Sequence, residues 1–294
     1  MIQIESLYKN ISDKEILKDI NLNVKKGTIL GLIGPNGSGK TTLIKCLTGI
    51  YKNDKGNIKI DDETVFENAK LKMKMGYIAD ENNFYKNFKV KNLIDFFKNA
   101  YSNFNIERFN ELNRSFNIDT NKHIKNLSKG MKMRVSIMLN LSVMPHILIM
   151  DEPTSGLDPR AKRDVLNMVL EDVAERKTTV LISSHNLGEL ERVCDDIAII
   201  DNGHIVFASS LDNMKKQIRK FQVVFRSSPP DNLKEWPEVL DVSQIGRVFY
   251  IVTNNYSVDF YNKLKNTNVE FIEEINLSLE DMFMYSTEGN LEVR

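Results

Sequence analysis

Apolar and polar residues alternate along residues 1–30, with Ile2 and Ile4 on one face and Ile20, Leu22 and Val24 on another, and this period predicts strands. Thr28-Ile29-Leu30-Gly31-Leu32-Ile33 is apolar without alternation, the pattern of a buried parallel strand. Ile147-Leu148-Ile149-Met150 and Thr179-Val180-Leu181-Ile182-Ser183-Ser184-His185 predict two further strands. Shorter strands are expected at Gly56-Asn57-Ile58-Lys59-Ile60 and at Met75-Gly76-Tyr77-Ile78-Ala79. A hairpin is expected from residues 197–207, turning at Asp201-Asn202-Gly203. Leu43-Ile44-Lys45-Cys46-Leu47 starts a helix, and residues 127–145 and 160–177 continue the helical period. Ahead of residue 127, residues 86–122 place Leu93, Ile94, Phe96, Phe97 and Tyr101 at helical spacing, a small helical subdomain with its own apolar stripe. Beyond residue 212 the pattern changes to strands at 221–225, 248–252 and 269–272 with helices near 257–265 and 278–285, a small α+β appendix.

Strands alternating with helices make an α/β protein, and the strand of residues 28–33 delivers its chain into Gly34-Pro35-Asn36-Gly37-Ser38-Gly39-Lys40-Thr41-Thr42. Strand, glycine-rich turn and helix are the context that the G-x-x-x-x-G-K-[ST] pattern requires. Glycines let the backbone wrap a polyphosphate with successive N–H groups pointing inward, and the helix N-terminus adds partial positive charge. In such a loop Lys40 reaches the β- and γ-phosphates and the Thr41 hydroxyl ligates Mg²⁺. The second feature is Asp151-Glu152, two carboxylates delivered at the end of a buried strand, where open α/β sheets place their ligands. Asp151 is expected to hold Mg²⁺ through water, and Glu152 to polarise an attacking water.

Composition narrows the setting. The 294 residues suffice for one large and one small domain, and 40 basic against 40 acidic side chains give no net charge to favour nucleic acid. No stretch approaches the roughly 20 apolar residues that span a bilayer, and Met1-Ile2-Gln3-Ile4-Glu5 lacks the features of a signal peptide. Cys46 and Cys194 stand apart in apolar helical contexts, as expected of reduced cytoplasmic thiols.

These motifs, with three more, resemble the ATP-binding subunit of an ABC transporter. Leu127-Ser128-Lys129-Gly130-Met131 resembles the family signature Leu-Ser-Gly-Gly-Gln, Ser155-Gly156-Leu157-Asp158 resembles the D-loop, and His185 matches the switch histidine. The resemblance covers residues 1 to about 215. It implies a P-loop cassette over residues 1–212, with a mixed/parallel core sheet and a helical subdomain at about 86–145, followed by an accessory domain at 213–294. It further implies a head-to-tail dimer, of two copies or with a related ATPase subunit. Two ATP·Mg²⁺ sites would lie between the subunits, with Lys40, Thr41, Asp151 and Glu152 of one facing Ser128 and Gly130 of the other. Asp158 would border the nucleotide and His185 would contact the γ-phosphate. The transport pathway would belong to a separate transmembrane permease, which places the chain at the cytoplasmic face of the membrane. The apolar residues 81–101 are the expected docking surface.

Three positions depart from the family pattern. Lys129 and Met131 replace Gly and Gln, a Lys-Gly-Met version that resembles the exporter branch with separate membrane subunits. The Q-loop position falls on Asp80, with Glu81 competing; an aspartate there can bind Mg²⁺ through water. The adenine-stacking position falls on Ile11, with Tyr8 as the alternative, and an aliphatic side chain lacks a π-face. A ribosome- or DNA-directed cassette ATPase is the competing class. One cassette, no long coiled-coil insertion between Lys40 and Ser128, and balanced charge all disfavour it. A silent binding module is disfavoured by the presence of Lys40, Glu152 and His185 together.

Overall fold

The computed structural model describes residues 1–81, 84–254 and 256–288. The chain opens with β1 (Ile2–Ile11) and β2 (Lys14–Val24), antiparallel neighbours whose alternating Ile2, Ile4, Ile20, Leu22 and Val24 are buried. β3 (Ile29–Ile33), buried at every position, runs through the glycine-rich loop into α1 (Lys40–Leu47). β4 (Lys55–Ile60) and the two-residue β5 (Glu63–Thr64) complete an antiparallel sheet of order β2-β1-β4-β5. After α2 (Ala69–Lys72) comes β6 (Met75–Ile78), then the helices α3 (Val90–Ala100), α4 (Ile106–Phe116) and α5 (Lys129–Ser142). β7 (Ile147–Met150), α6 (Pro159–Arg176), β8 (Thr179–Ser184), α7 (Leu187–Leu190), β9 (Asp196–Asp201) and β10 (His204–Ser210) follow.

The second sheet has the order β10-β9-β3-β8-β7-β6, and β9, β3, β8, β7 and β6 are parallel. β3, β7 and β8 are buried throughout, which explains why their sequences are continuous apolar runs. Leu30 and Leu32 of β3, Leu43, Ile44 and Leu47 of α1, and Leu181 and Ile200 share one core with the inward residues of the antiparallel sheet. Each such aliphatic side chain contributes about 1.5–3 kcal/mol on full burial, so this core fixes the strand end from which the loop departs.

The helical part splits the expected stripe. Val90, Leu93 and Ile94 of α3 are buried, and Phe97 stacks on Tyr101 with centroids 5.5 Å apart, but Phe96 is 59% exposed. α5 is fastened to the edge strand of the parallel sheet, because Asn140 Oδ1 accepts the Tyr77 N–H at 3.0 Å. Ionic contacts join α4 to α6. Arg108 lies 3.7 Å from Asp172 and 3.2 Å from Glu175, and burial, as the main cause, raises the Asp172 carboxyl above the usual range.

Contacts divide the described chain into two units, Met1–Asn186 with Arg192–Ala208, and Leu187–Glu191 with the chain from Ser209 onward. The second unit therefore begins a few residues before 213 and includes α7, which packs on the last helix. It contains α8 (Leu211–Gln217), β11 (Arg219–Phe225), β12 (Val239–Ile245), β13 (Val248–Thr253), α9 (Val258–Lys265), β14 (Val269–Ile275) and α10 (Leu279–Glu288). Its sheet has the order β12-β13-β11-β14, so the three strands expected from sequence are joined by β12 at an edge. Trp236 meets Phe260 edge-on at 6.2 Å inside this unit's own core.

Candidate functional site

The glycine-rich loop leaves the C-terminal end of β3, beside the ends of β8 and β9. Gly37 and Gly39 take φ of 84° and 113°, which turn the chain into α1 with its amides leading. The turn between β9 and β10 braces the loop from below, because Gly203 N donates to Ser38 O at 3.0 Å. Lys40, only 6% exposed, directs Nζ into the loop, donating to Gly34 O at 2.7 Å and Pro35 O at 3.3 Å. Ser38 Oγ is buried without a hydrogen-bond partner. Pro35, Asn36 and Gly37 are exposed at the loop's crest, Thr41 is exposed at the start of α1, and Thr42 is half-buried behind it. An unpaired buried hydroxyl and a buried ammonium facing backbone carbonyls form a cradle whose donors suit phosphate oxygens.

The carboxylates reach this cradle from β7. Glu152 lies one residue past Asp151 and adopts φ 47°, a left-handed conformation uncommon for a side chain larger than glycine. Its Oε1 lies 3.3 Å from Lys40 Nζ, an ion pair without hydrogen-bond alignment, and its Oε2 lies 2.8 Å from His185 Nδ1. Glu152 thus bridges the loop lysine and the histidine at the end of β8. Asp151, 2% exposed, accepts a hydrogen bond from Ser183 Oγ at 2.7 Å, and the same oxygen accepts from Glu152 N at 2.9 Å. Ser183 therefore orients both carboxylate residues. The only mark of it in the sequence is a pair of serines ending an apolar strand just before His185.

Asp80 follows β6, the neighbour of β7, and Asp151 N donates to Ile78 O at 2.8 Å, so both chains leave the sheet together. Burial, followed by the nearby Asp151, Glu152 and Glu81, raises the Asp80 carboxyl, and the Lys129 ammonium opposes this. Among the described residues no three His, Cys, Asp or Glu side chains gather to hold a metal. The oxygen donors present, Thr41 and Asp151, suit Mg²⁺, which takes few protein ligands and completes its shell with substrate phosphates and water.

Other expected site residues stand elsewhere. Ser128 is the N-cap of α5, where its Oγ accepts from Met131 N at 3.2 Å and keeps its O–H to donate. Gly130 lies against Ala161 of α6. The contacts that join Lys40, Glu152, His185, Asp151 and Ser183 include neither Ser128 nor Gly130. Asp158 caps α6, accepting from Arg160 N and Ala161 N at 3.0 and 2.9 Å, and lines a cleft with Arg134 and Asp164 rather than the phosphate loop. Ile11 ends β1 opposite Lys14, 37% exposed, and Tyr8 pairs in register with Lys55, whose Nζ lies 5.6 Å above its ring.

Comparison with known proteins agrees with this geometry. The family described as "ABC transporter" matches residues 17–155, and a family described as "AAA domain, putative AbiEii toxin, Type IV TA system" matches residues 124–191. The chain is 31% identical to the ABC transporter ATP-binding protein YtrB of Bacillus subtilis, over 97% of both chains. It is 35% identical to the linearmycin resistance ATP-binding protein LnrL of the same organism, over 70% of this chain and 68% of that one. A solved ATP-binding subunit of an ABC transporter superposes with a TM-score of 0.67 at 27% identity, covering 73% of this chain and 92% of the other. Such subunits work with membrane permeases and dimerise, and no helix among the described residues is long and apolar enough to cross a membrane. The protein belongs to the ABC transporter family, as an ATP-binding subunit that hydrolyses ATP to drive transport.

Proposed function

We propose that this subunit forms half of each of two composite ATP sites in a head-to-tail dimer and powers a separate export permease. The observation that carries the reading is the bridge from Lys40 through Glu152 to His185, built at the mouth of the phosphate cradle. In this reading the loop amides, Ser38 and Lys40 receive the phosphates, which draw Lys40 Nζ away from Gly34 O and Glu152. Thr41 would hold Mg²⁺, with Asp151 and Asp80 binding it through water; the ion would supply charge neutralisation on the phosphates. Glu152, released from Lys40, takes the proton of the attacking water, and His185 holds Glu152 and the γ-phosphate side of that water in line. Ser128 and Gly130 close the site from the other subunit, where the α5 N-terminus and the free Ser128 O–H donate to the γ-phosphate. Their position outside the cluster formed by Lys40, Glu152 and His185 supports a role across the interface.

Ile11 or Tyr8 packs against adenine, and an aliphatic contact there predicts weak discrimination between ATP and GTP. Tyr85 and Phe88, with ring centroids 5.0 Å apart, and the exposed Phe96 supply the docking surface for the permease's cytoplasmic segments. Asn82 and Asn83, within the same expected surface, lie outside the described residues. The export direction is supported by the Lys-Gly-Met signature and by the resistance named for the LnrL relative. The second unit serves as an accessory domain. The test is Glu152→Gln. With MgATP it should sediment as a stable dimer and lose at least about 99% of turnover; turnover near the parent level would assign the water to another residue.

A further inference from the structure

A phosphate cradle works only while its amide N–H groups face the anion and its carbonyls face away. Several carbonyls of the glycine-rich loop are held in place. Gly34 O and Pro35 O accept from Lys40 Nζ, and Gly39 O accepts from Leu43 N, partners that belong to the loop's own helix. Ser38 O is held from a distant segment, accepting from Gly203 N at 3.0 Å at the turn between β9 and β10. A trans peptide points its C=O and N–H in opposite directions, and no peptide among the described residues is cis. With Ser38 O turned onto Gly203, the Gly39 N–H of the same peptide points the other way, to the phosphate side of the loop.

Gly203 is itself fixed from behind. Its O accepts from Lys18 N at 2.8 Å, and β2, which carries Lys18, is an edge strand of the antiparallel sheet and lends this N–H outward. Asn202 and Gly203 take φ of 47° and 83°, the left-handed pair of a tight hairpin turn. A Cβ on Gly203 would fall onto Ile16 O and lie 3.1 Å from Ile16 C, backbone atoms that cannot swing aside. One glycine thus stitches β2, the β9–β10 turn and the phosphate loop together.

We propose that Gly203 is a positioning residue for nucleotide binding, which holds the Ser38–Gly39 peptide with its N–H toward the phosphates before ATP arrives. This rests on the reading of Gly34 to Thr42 as the phosphate loop. A peptide followed by glycine flips at little cost, and Gly39 has φ 113°. A flipped peptide would present Ser38 O to the phosphates and repel them. Lys40 does not prevent the flip, because it holds other carbonyls and is drawn to the phosphates on binding. The Gly203 bond lies on the far side of the loop and survives binding. Without it the empty loop spends part of its time flipped, and apparent affinity falls by the competent fraction. Once bound, the triphosphate holds the peptide itself, so turnover of bound ATP is unchanged.

The test compares Gly203→Ala with Gly246→Ala. Gly246 has φ 60° in the turn between β12 and β13, with nothing within 4 Å of an added Cβ, so it reports backbone strain alone. Gly203→Ala should raise KM for MgATP and Kd for MgADP about tenfold, with kcat per folded protein within about twofold of the parent, and Gly246→Ala should change none of these. A fall in kcat with KM and Kd at their parent values would overturn the proposal. Amide hydrogen exchange in the parent protein needs no variant. The Gly203 N–H should be protected before nucleotide is added, and exchange at the rate of an open turn would equally overturn the proposal. Lys40→Ala separates the underlying reading. If it loses MgADP binding while Gly203→Ala keeps the parent KM, only the role of Gly203 falls; if it binds MgADP as the parent does, the loop reading falls and the proposal with it.

Discussion

Ser183→Ala isolates how far the Asp151 and Glu152 carboxylates depend on a neighbouring strand. The hydroxyl is fully buried, donates to Asp151 Oδ1 at 2.7 Å and accepts from Glu152 N at 2.9 Å. A hydrogen bond to a charged group contributes about 1.5–3 kcal/mol net and a neutral one about 0.5–1.5, so about 2–4 kcal/mol resides in this one oxygen. The loss divides between folding and catalysis. Glu152 holds a left-handed backbone, and such conformations cost about 1–3 kcal/mol and persist only when their surroundings impose them. Without the Ser183 acceptor, the Glu152 amide is free to relax toward ordinary angles and swing its carboxylate from Lys40 and His185. If half of the lost energy falls on the transition state, kcat drops about 5- to 30-fold at 1.4 kcal/mol per decade. Steady-state MgATP hydrolysis separates kcat from KM, and a thermal melt on the same sample reports the remainder as a fall in Tm. Ser183→Cys, which keeps a weak donor and acceptor, should fall between the two. A folded Ser183→Ala protein with kcat within about twofold of the parent would refute the reasoning.

Two further outcomes test other parts of the molecule. Phe88→Asp should cut transport by the assembled permease about tenfold or more while MgATP affinity changes less than about twofold; unimpaired transport would remove the docking surface. Asp172 is raised above the ordinary carboxylate range, chiefly by burial, so its contribution to stability is largest at acid pH and is lost as pH rises through the raised value. Asp172→Asn should therefore gain on the parent as the pH of urea unfolding goes from about 4 to 7, whereas parallel curves would contradict the shift.

What could be read from sequence was what the chemistry keeps local. A phosphate cradle is built from consecutive backbone amides, so the residues from Gly34 to Thr42 identify themselves, and the β3-to-α1 context follows from their neighbours. Asp151 and Glu152 were legible for the same reason, as a polar pair ending an apolar run. Ser183 was not, because its role depends on the register that sets Met150 beside Ile182 across two strands. β12 escaped because an edge strand with Asp241, Ser243 and Gln244, only half-buried, lacks the apolar period of its neighbours. The second unit also takes in Leu187–Glu191, because α7 packs with α10, a contact that no local pattern announces. Asp158 showed a D-loop motif correctly placed in order, yet in this chain its carboxylate is occupied by the N-terminus of α6.

In the proposed dimer each ATP site takes its phosphate loop from one subunit and its signature from another. Mixed dimers test it directly. One protomer carries Lys40→Ala and the other Ser128→Arg, each inactive as a homodimer, and the mixed species is isolated through two different tags. In a head-to-tail arrangement both lesions fall in the same site, and the second site keeps an intact Lys40 facing an intact Ser128. ATPase activity is expected in the isolated mixed dimer where both homodimers have none. A mixed dimer as inactive as its parents would contradict the head-to-tail arrangement.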